Sequence, residues 1–265
     1  MTENVKPVLA STIMLLRDND EGAMEVFMVA RHHQIDFASG ALVFPGGKAA
    51  KGDEDPAIRD RTRGAEGLSD RDMILGACAI RESFEECGVL LARKRGDENL
   101  VGPEFIKELD PWRPKLDSGE ADLMEMLEAA DLELALDQLV PFAHWVTPDM
   151  MPKRFDTMFY LVPAPKDQLA VHDGREAVDS SWVNPSKVLD EAKQGKWTII
   201  FPTRMNIEKL ARSPNTATAF QTARCDEIKT VTPWVEKREE GAILCIRDDA
   251  GYDQTEEKIE RIMKS

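Results

Sequence analysis

Apolar and β-branched residues run through 7–16 (PVLASTIMLL) and 25–31 (EVFMVAR), separated by the polar, glycine-containing RDNDEGAM. That pattern predicts two paired strands. A short apolar run from Gly40 to Phe44 stops at Pro45-Gly46-Gly47, where the glycines open torsions closed to other residues, so a strand should feed a tight loop. Residues 48–72 (KGDEDPAIRDRTRGAEG at their centre) are polar and predict a surface excursion with room for a short helix. Apolar residues then recur at helical spacing, Ile74, Ala77, Ile80, Phe84 and Cys87, predicting a helix from Asp70 to Leu91 with Ser69 or Asp70 as cap and Gly88 placed to end its regular face.

Beyond that helix the period stays helical. Residues 92–137, with EADLMEMLEAADLELALDQL at their heart, alternate apolar and acidic positions as an amphipathic helical insertion would. Strand-type composition returns at 139–147, 155–163 and 178–183, followed by helices near 185–194 and 203–212 and a strand at 242–246. No repeat or linker divides the chain. One domain over 1–265 is therefore expected, with insertions at about 53–72 and 92–137 and a C-terminal extension at about 213–265.

Composition narrows the function more than the fold. The 265 residues are 42% hydrophobic and 31% charged, ordinary for a globular protein with a sizeable core. Lys and Arg total 34 against 49 Asp and Glu, and the net charge of -15 argues against a nucleic-acid polymer as partner. A small anionic substrate remains compatible where metal ions reverse the local field. Cys78, Cys87, Cys225 and Cys245 form neither a CxxC nor a Cys/His cluster, so neither a disulfide framework nor a zinc site is expected. The stretch MTENVKPVLASTIMLL lacks a basic leader region, and no segment reaches transmembrane length. Met263-Lys264-Ser265 is neither a peroxisomal nor a reticular address, so no membrane and a cytoplasmic location are expected.

The chemistry concentrates in Arg81-Glu82-Ser83-Phe84-Glu85-Glu86-Cys87-Gly88-Val89. Glu82, Glu85 and Glu86 stand at i, i+3 and i+4, on one side of a single helical turn. Like charges this close repel, and bound divalent cations would relieve the repulsion. Carboxylate oxygens suit Mg2+ or Mn2+, and magnesium characteristically binds substrate phosphates beside one or two carboxylates. Arg81, four residues before Glu85, can orient a carboxylate through a bidentate bond or neutralise phosphate, a role Lys fills less well. Upstream, the bare carbonyls of FPGG stand where they can approach a metal.

With FPGGK at 44–48 and REsfEEcGVLL at 81–91, the chain resembles the Nudix hydrolases, whose box reads GX5EX7REUXEEXGU. Arg81 to Val89 match it except at Ser83, a position that faces packing, and counting six from Gly47 reaches Asp53 where the family has Glu. About twenty further residues intervene before the helix, so the box is split. A split box with this helix is similar to the subgroup that includes peroxisomal coenzyme A diphosphatases and their bacterial relatives. Thr147-Pro148, Lys153-Arg154-Phe155-Asp156-Thr157, Glu176 and Ser181-Trp182-Val183-Asn184-Pro185 extend the likeness over about residues 7–212. The upstream coenzyme A signature LLTxRSx3Rx3Gx3FPGG is met by Arg31, Gly40 and Phe44 at its spacing, while Asp36 replaces its second arginine and His32 its serine.

The resemblance implies an α/β fold, a Nudix-type α/β/α sandwich with a mixed central sheet and helical insertions. It implies hydrolysis of a diphosphate bond in a nucleoside diphosphate derivative, with Glu85 and Glu86 as principal metal ligands and Glu82 as ligand or base. The Gly46 carbonyl is a further ligand, Arg81 the orienting cation, Glu176 the best candidate for a base outside the box, and Arg31 and Gly40 the substrate contacts. A homodimer is a family expectation. His32, His33, His144 and His172 read as surface residues before ligands, and Trp145, Phe159 and Trp182 as core before adenine platforms. Three functions compete at this point: a coenzyme A or acyl-coenzyme A diphosphatase, a hydrolase of ADP-ribose or a dinucleotide cofactor, and a non-catalytic nucleotide-sensing module, which the intact RExxEE disfavours.

Overall fold

The computed structural model describes residues 5–31, 41–165, 168, 177–239 and 241–262. Its spine is β1 (Val8–Asp18), in which successive residues alternate between two cores. Ile13 and Leu15 join one cluster, Met14 and Leu16 the other, and all four are at most 2% exposed. A strand apolar on both faces requires cover on both.

After β1 come β2 (Met24–Arg31), β3 (Leu42–Val43), β4 (Gly46–Lys48) and β5 (Thr62–Arg63). The long helix α1 (Asp70–Cys87) leads into β6 (Ala92–Lys94), α2 (Pro103–Leu109), α3 (Arg113–Ser118), α4 (Leu123–Ala129) and β7 (Leu132–Ala135). The central strands resume with β8 (Val140–Val146), β9 (Phe155–Pro163) and β10 (Ala177–Val183), then α5 (Pro185–Lys193), α6 (Phe201–Leu210) and α7 (Thr216–Cys225). The chain continues through β11 (Thr230–Val231), β12 (Trp234–Arg238), β13 (Gly241–Cys245), β14 (Glu256–Lys258) and α8 (Ile259–Ile262).

The central sheet runs β10-β2-β1-β9-β8-β11, with β3 and β4 beside β2 and β1. β1 lies parallel to β9 from Val8↔Phe155 to Leu16↔Pro163. Its other edge is shared: Leu16 to Asp18 pair antiparallel with β2, and Ala10 to Thr12 pair antiparallel with β4. α1 covers one face through Leu75, Ala79, Ile80 and Phe84. α5, α6 and α7 cover the other through Val188, Met205, Leu210 and Phe220. This mixed sheet between helical layers is the expected α/β/α sandwich.

Four expectations change in detail. The Pro45-Gly46-Gly47 stretch is no free loop: its glycines enter the sheet as β4, opposite Ser11 and Thr12. The polar excursion after Lys48 carries a buried anchor at each short 3-10 turn, Asp53 and Ile58, since one apolar residue and one partnered charge suffice to pin a polar segment. The 92–137 segment is not helical throughout. Its three short helices are bracketed by β6 and β7, which pair with each other and with β5, because Leu132, Leu134 and Ala135 find a strand face to bury against. α1 also stops earlier than Leu91, at Cys87, where Gly88 turns left-handed at φ 68°.

Candidate active site

α1 begins where Ser69 accepts the Asp72 N–H, and its sixth residue past the cap is tied to the sheet by Ser11 Oγ donating to Leu75 O at 2.6 Å. With Leu75, Ile80 and Phe84 committed to the core, the stripe through Cys78, Arg81, Glu82 and Glu85 turns toward the glycine strand β4. Cys78 Sγ donates weakly to Gly47 O at 3.6 Å, and a Cβ added at Gly47 would fall 2.5 Å from Glu82 Oε1. A Cβ at Gly46 would lie 2.3 Å from Ser11 O. Both glycines are required by close approach, one to the helix carboxylate and one to the neighbouring strand. The Gly46 N–H donates to Glu86 Oε2 at 2.8 Å.

Arg81 is the hub. Its Nε donates to Asp53 Oδ1 at 2.9 Å, its Nη1 to both Glu85 oxygens at 3.0 Å, and its Nη2 to Lys48 O at 2.8 Å and to Asp53 Oδ2 at 3.0 Å. Glu82 Oε1 stands 2.9 Å from Nη2. One guanidinium thus joins the glycine strand, the excursion and two of the three carboxylates, the planar, multi-donor task that Arg performs and Lys cannot. Asp53 is the partner from the split half of the box, and its side chain is wholly buried. Burial pushes the Glu85 carboxyl up to about 7, against the pull of Arg81 and with further help from Glu82.

Glu82, Glu85, Glu86, Gly46 and Gly47 all face one cavity of about 1810 Å³. Its far walls are largely apolar, with Val8, Met151, Trp145, Phe159, Phe201 and Leu244 among them, and Lys48 and Lys153 add positive charge. The insertion reaches in through Asp110, Arg113 and Asp117, and the C-terminal extension through Pro233 and Leu244. Trp145 Nε1 donates to the Tyr252 hydroxyl at 2.9 Å, which donates to Asn206 Oδ1 at 2.7 Å, so the extension is hydrogen-bonded to the cavity wall.

Among the described residues no three Asp, Glu, His or Cys side chains close around a ready-made cation shell. The Glu85 oxygens are engaged by Arg81, and one Glu86 oxygen takes the Gly46 N–H. The donor set itself fits a hard divalent ion: three carboxylates from one helical turn, beside closely approaching backbone, at the wall of a cavity.

Residues 55–210 match the family defined as the NUDT19 Nudix domain, more than half of the chain. The chain belongs to this family. Nudix hydrolases generally use divalent metal. It is similar to the acyl-coenzyme A diphosphatase NUDT19 of Xenopus laevis, 22% identical over 233 residues that cover 73% of this chain and 61% of that protein. The Homo sapiens protein of the same name is 28% identical over 143 residues, 51% of this chain and 38% of that one. The chain therefore spans between about two fifths and three fifths of the length of these relatives. The crystal structure of a NUDIX hydrolase from Alicyclobacillus acidocaldarius superposes with a TM-score of 0.66 at 26% identity, covering 82% of this chain and 96% of that one.

Of the residues singled out by the Nudix pattern, Gly46, Arg81, Glu82, Glu85 and Glu86 come together on the cavity. Arg31 ends β2, while Gly40, Glu176, His32, His33, Asp36 and His172 lie outside the described residues. Ser83 is fully buried, facing packing as expected. Trp145 and Phe159 belong to the core and also line the cavity, whereas Trp182 packs tilted against Phe27 and under Arg17. His144 does not face the cavity: it is bonded to Asp156 at 2.5 Å and to Thr230 at 2.8 Å, with Arg71 alongside. Two contributors carry no role in the sequence reading. Asp53 is marked there only by its count from Gly47, and Arg113 by nothing local at all.

Proposed function

We propose that this Nudix hydrolase cleaves the diphosphate bond of a nucleoside diphosphate derivative in the presence of Mg2+ or Mn2+, with coenzyme A or an acyl-coenzyme A as substrate. The observation that carries this is a carboxylate turn opening onto a cavity of about 1810 Å³ with mostly apolar walls. That volume exceeds the roughly 300–1,000 Å³ of ordinary small-ligand pockets and suits a long substrate with an apolar arm. The chain's similarity to the Xenopus laevis and Homo sapiens acyl-coenzyme A diphosphatases supports the same substrate class.

In this reading Glu82, Glu85, Glu86 and the Gly46 carbonyl would hold the metal, which when bound supplies charge neutralisation of the diphosphate and an activated water. Arg81 fixes the Glu82 and Glu85 carboxylates and is itself fixed by Asp53 and Lys48 O. Glu82 or Glu176 accepts the proton of the attacking water. Lys48 and Lys153 draw the anionic substrate to an otherwise acidic protein. The apolar walls from β8, β9 and α6 exclude water and receive the non-nucleotide arm.

Purified protein with Mg2+ or Mn2+ and a panel of coenzyme A, acyl-coenzyme A, ADP-ribose and NADH tests the reading by product mass. Release of 3′,5′-ADP and a phosphopantetheine product is the expected result. Preferential turnover of ADP-ribose or NADH overturns the substrate, and full turnover by Glu85→Gln overturns the carboxylate mechanism.

A further inference from the structure

α1 is charged the wrong way round for its last turn. Glu85 and Glu86 occupy the C-terminal turn, the negative end of the helix dipole, and that turn contains no basic residue. The last carbonyls of a helix also have no following helical N–H to meet them. Gly88 N–H bonds Phe84 O and Val89 N–H bonds Ser83 O, which leaves the Glu85 carbonyl to be met from elsewhere. Arg113, the first residue of α3 in the insertion, meets it: Nη2 donates to Glu85 O at 2.9 Å and Nε at 3.2 Å. The same guanidinium lies against the left-handed turn, where a Cβ at Gly88 would sit 3.3 Å from Nη1. Asp110 stands 3.9 Å from Nη1 and orients it.

We infer that Arg113 is a positioning residue of the metal site, a C-terminal cap supplied from the insertion that holds the Glu85-Glu86 turn in place for the ion. This rests on the metal-dependent reading of the site. The insertion is then part of the ion-binding apparatus as well as a wall of the cavity. Partners that orient metal ligands typically change affinity by 10–100-fold when removed.

The test is Mn2+ titration of substrate-free protein by calorimetry, comparing wild type with Arg113→Ala, Arg113→Lys, Arg93→Ala and Glu85→Gln. Arg93 is the control, a more deeply buried arginine of the same segment whose guanidinium is taken by Asp137 at 2.7 Å and Glu98 O at 3.0 Å, away from the carboxylate turn. The expected result is a Mn2+ dissociation constant raised about 10-fold in Arg113→Ala and by less in Arg113→Lys, with Arg93→Ala less heat-stable but unchanged in ion affinity. If Arg113→Ala does not fold, Arg113→Lys carries the comparison alone. Wild-type affinity in a folded Arg113 variant overturns the inference, as does an equal shift in Arg93→Ala or a rise in substrate KM with no change in ion affinity. Equal binding of Mn2+ by wild type and Glu85→Gln sinks the metal assignment itself, and the inference with it.

Discussion

The two charge-rich segments that flank α1 do opposite work. Residues 53–72 stay off the cavity and reach the site from behind, through one buried carboxylate, Asp53, on Arg81. Residues 92–137 come round the front, setting Asp110, Arg113 and Asp117 on the cavity wall. Both are rich in charge and both contain short helical turns, and charge content alone does not separate a brace from a wall. The difference lies in where their buried or cavity-facing charged residues are sent.

Mutations can break this contrast, beginning where the effect should be largest. Asp53→Ala removes one partner of a buried ion pair and should lower stability by about 3–5 kcal/mol, read as a shift in the urea midpoint, with activity lost alongside. An unchanged midpoint would mean the rear segment braces nothing. Asp53→Glu restores the residue usual in the Nudix box, yet the side-chain site is wholly buried, so an extra methylene should still cost about 1–3 kcal/mol by overpacking. A more stable variant would show that the split box has slack at this point. Gly47→Ala drives a methyl group into the Glu82 carboxylate and should reduce turnover by roughly 10–100-fold while heat stability changes little, since the clash is with a movable side-chain end. Asp117→Asn at the front wall should leave stability within about 0.5 kcal/mol and lower KM for an anionic substrate a few-fold, as expected for one exposed charge. A stability loss there comparable to that at Asp53 would erase the distinction between brace and wall.

The sandwich was legible because its strands and its main helix announce themselves by period: Ile13 and Leu15 against Met14 and Leu16, and Leu75, Ile80 and Phe84 down α1. The carboxylate turn was legible for the same local reason, since i, i+3 and i+4 need no tertiary information. The FPGG segment misleads because glycine signals permission to turn, not the obligation, and here the absent side chains serve close packing between β1 and Glu82. Arg113 was illegible because its partner is a backbone carbonyl 28 residues away, and a carbonyl leaves no mark on the sequence. The strands β6 and β7 hid inside a helical period because each finds its partner only after the chain has gone out and returned.

The division of one edge of β1 between β2 and β4 dictates where this chain can grow. Gly46 and Gly47 are held at fixed rungs opposite Thr12 and Ser11, so adding a single residue between Phe44 and Lys48 would send each glycine to the rung, and the face, of its neighbour. Past Arg63, the end of the short strand that pairs with β7, no such ladder constrains the path until α1 begins at Asp70. Lineages of this family should therefore differ freely in the length of that second interval and hardly at all in the first, and a tag or reporter inserted for engineering belongs on the far side of the 3-10 turns, near Gly67, where the backbone has open space around it.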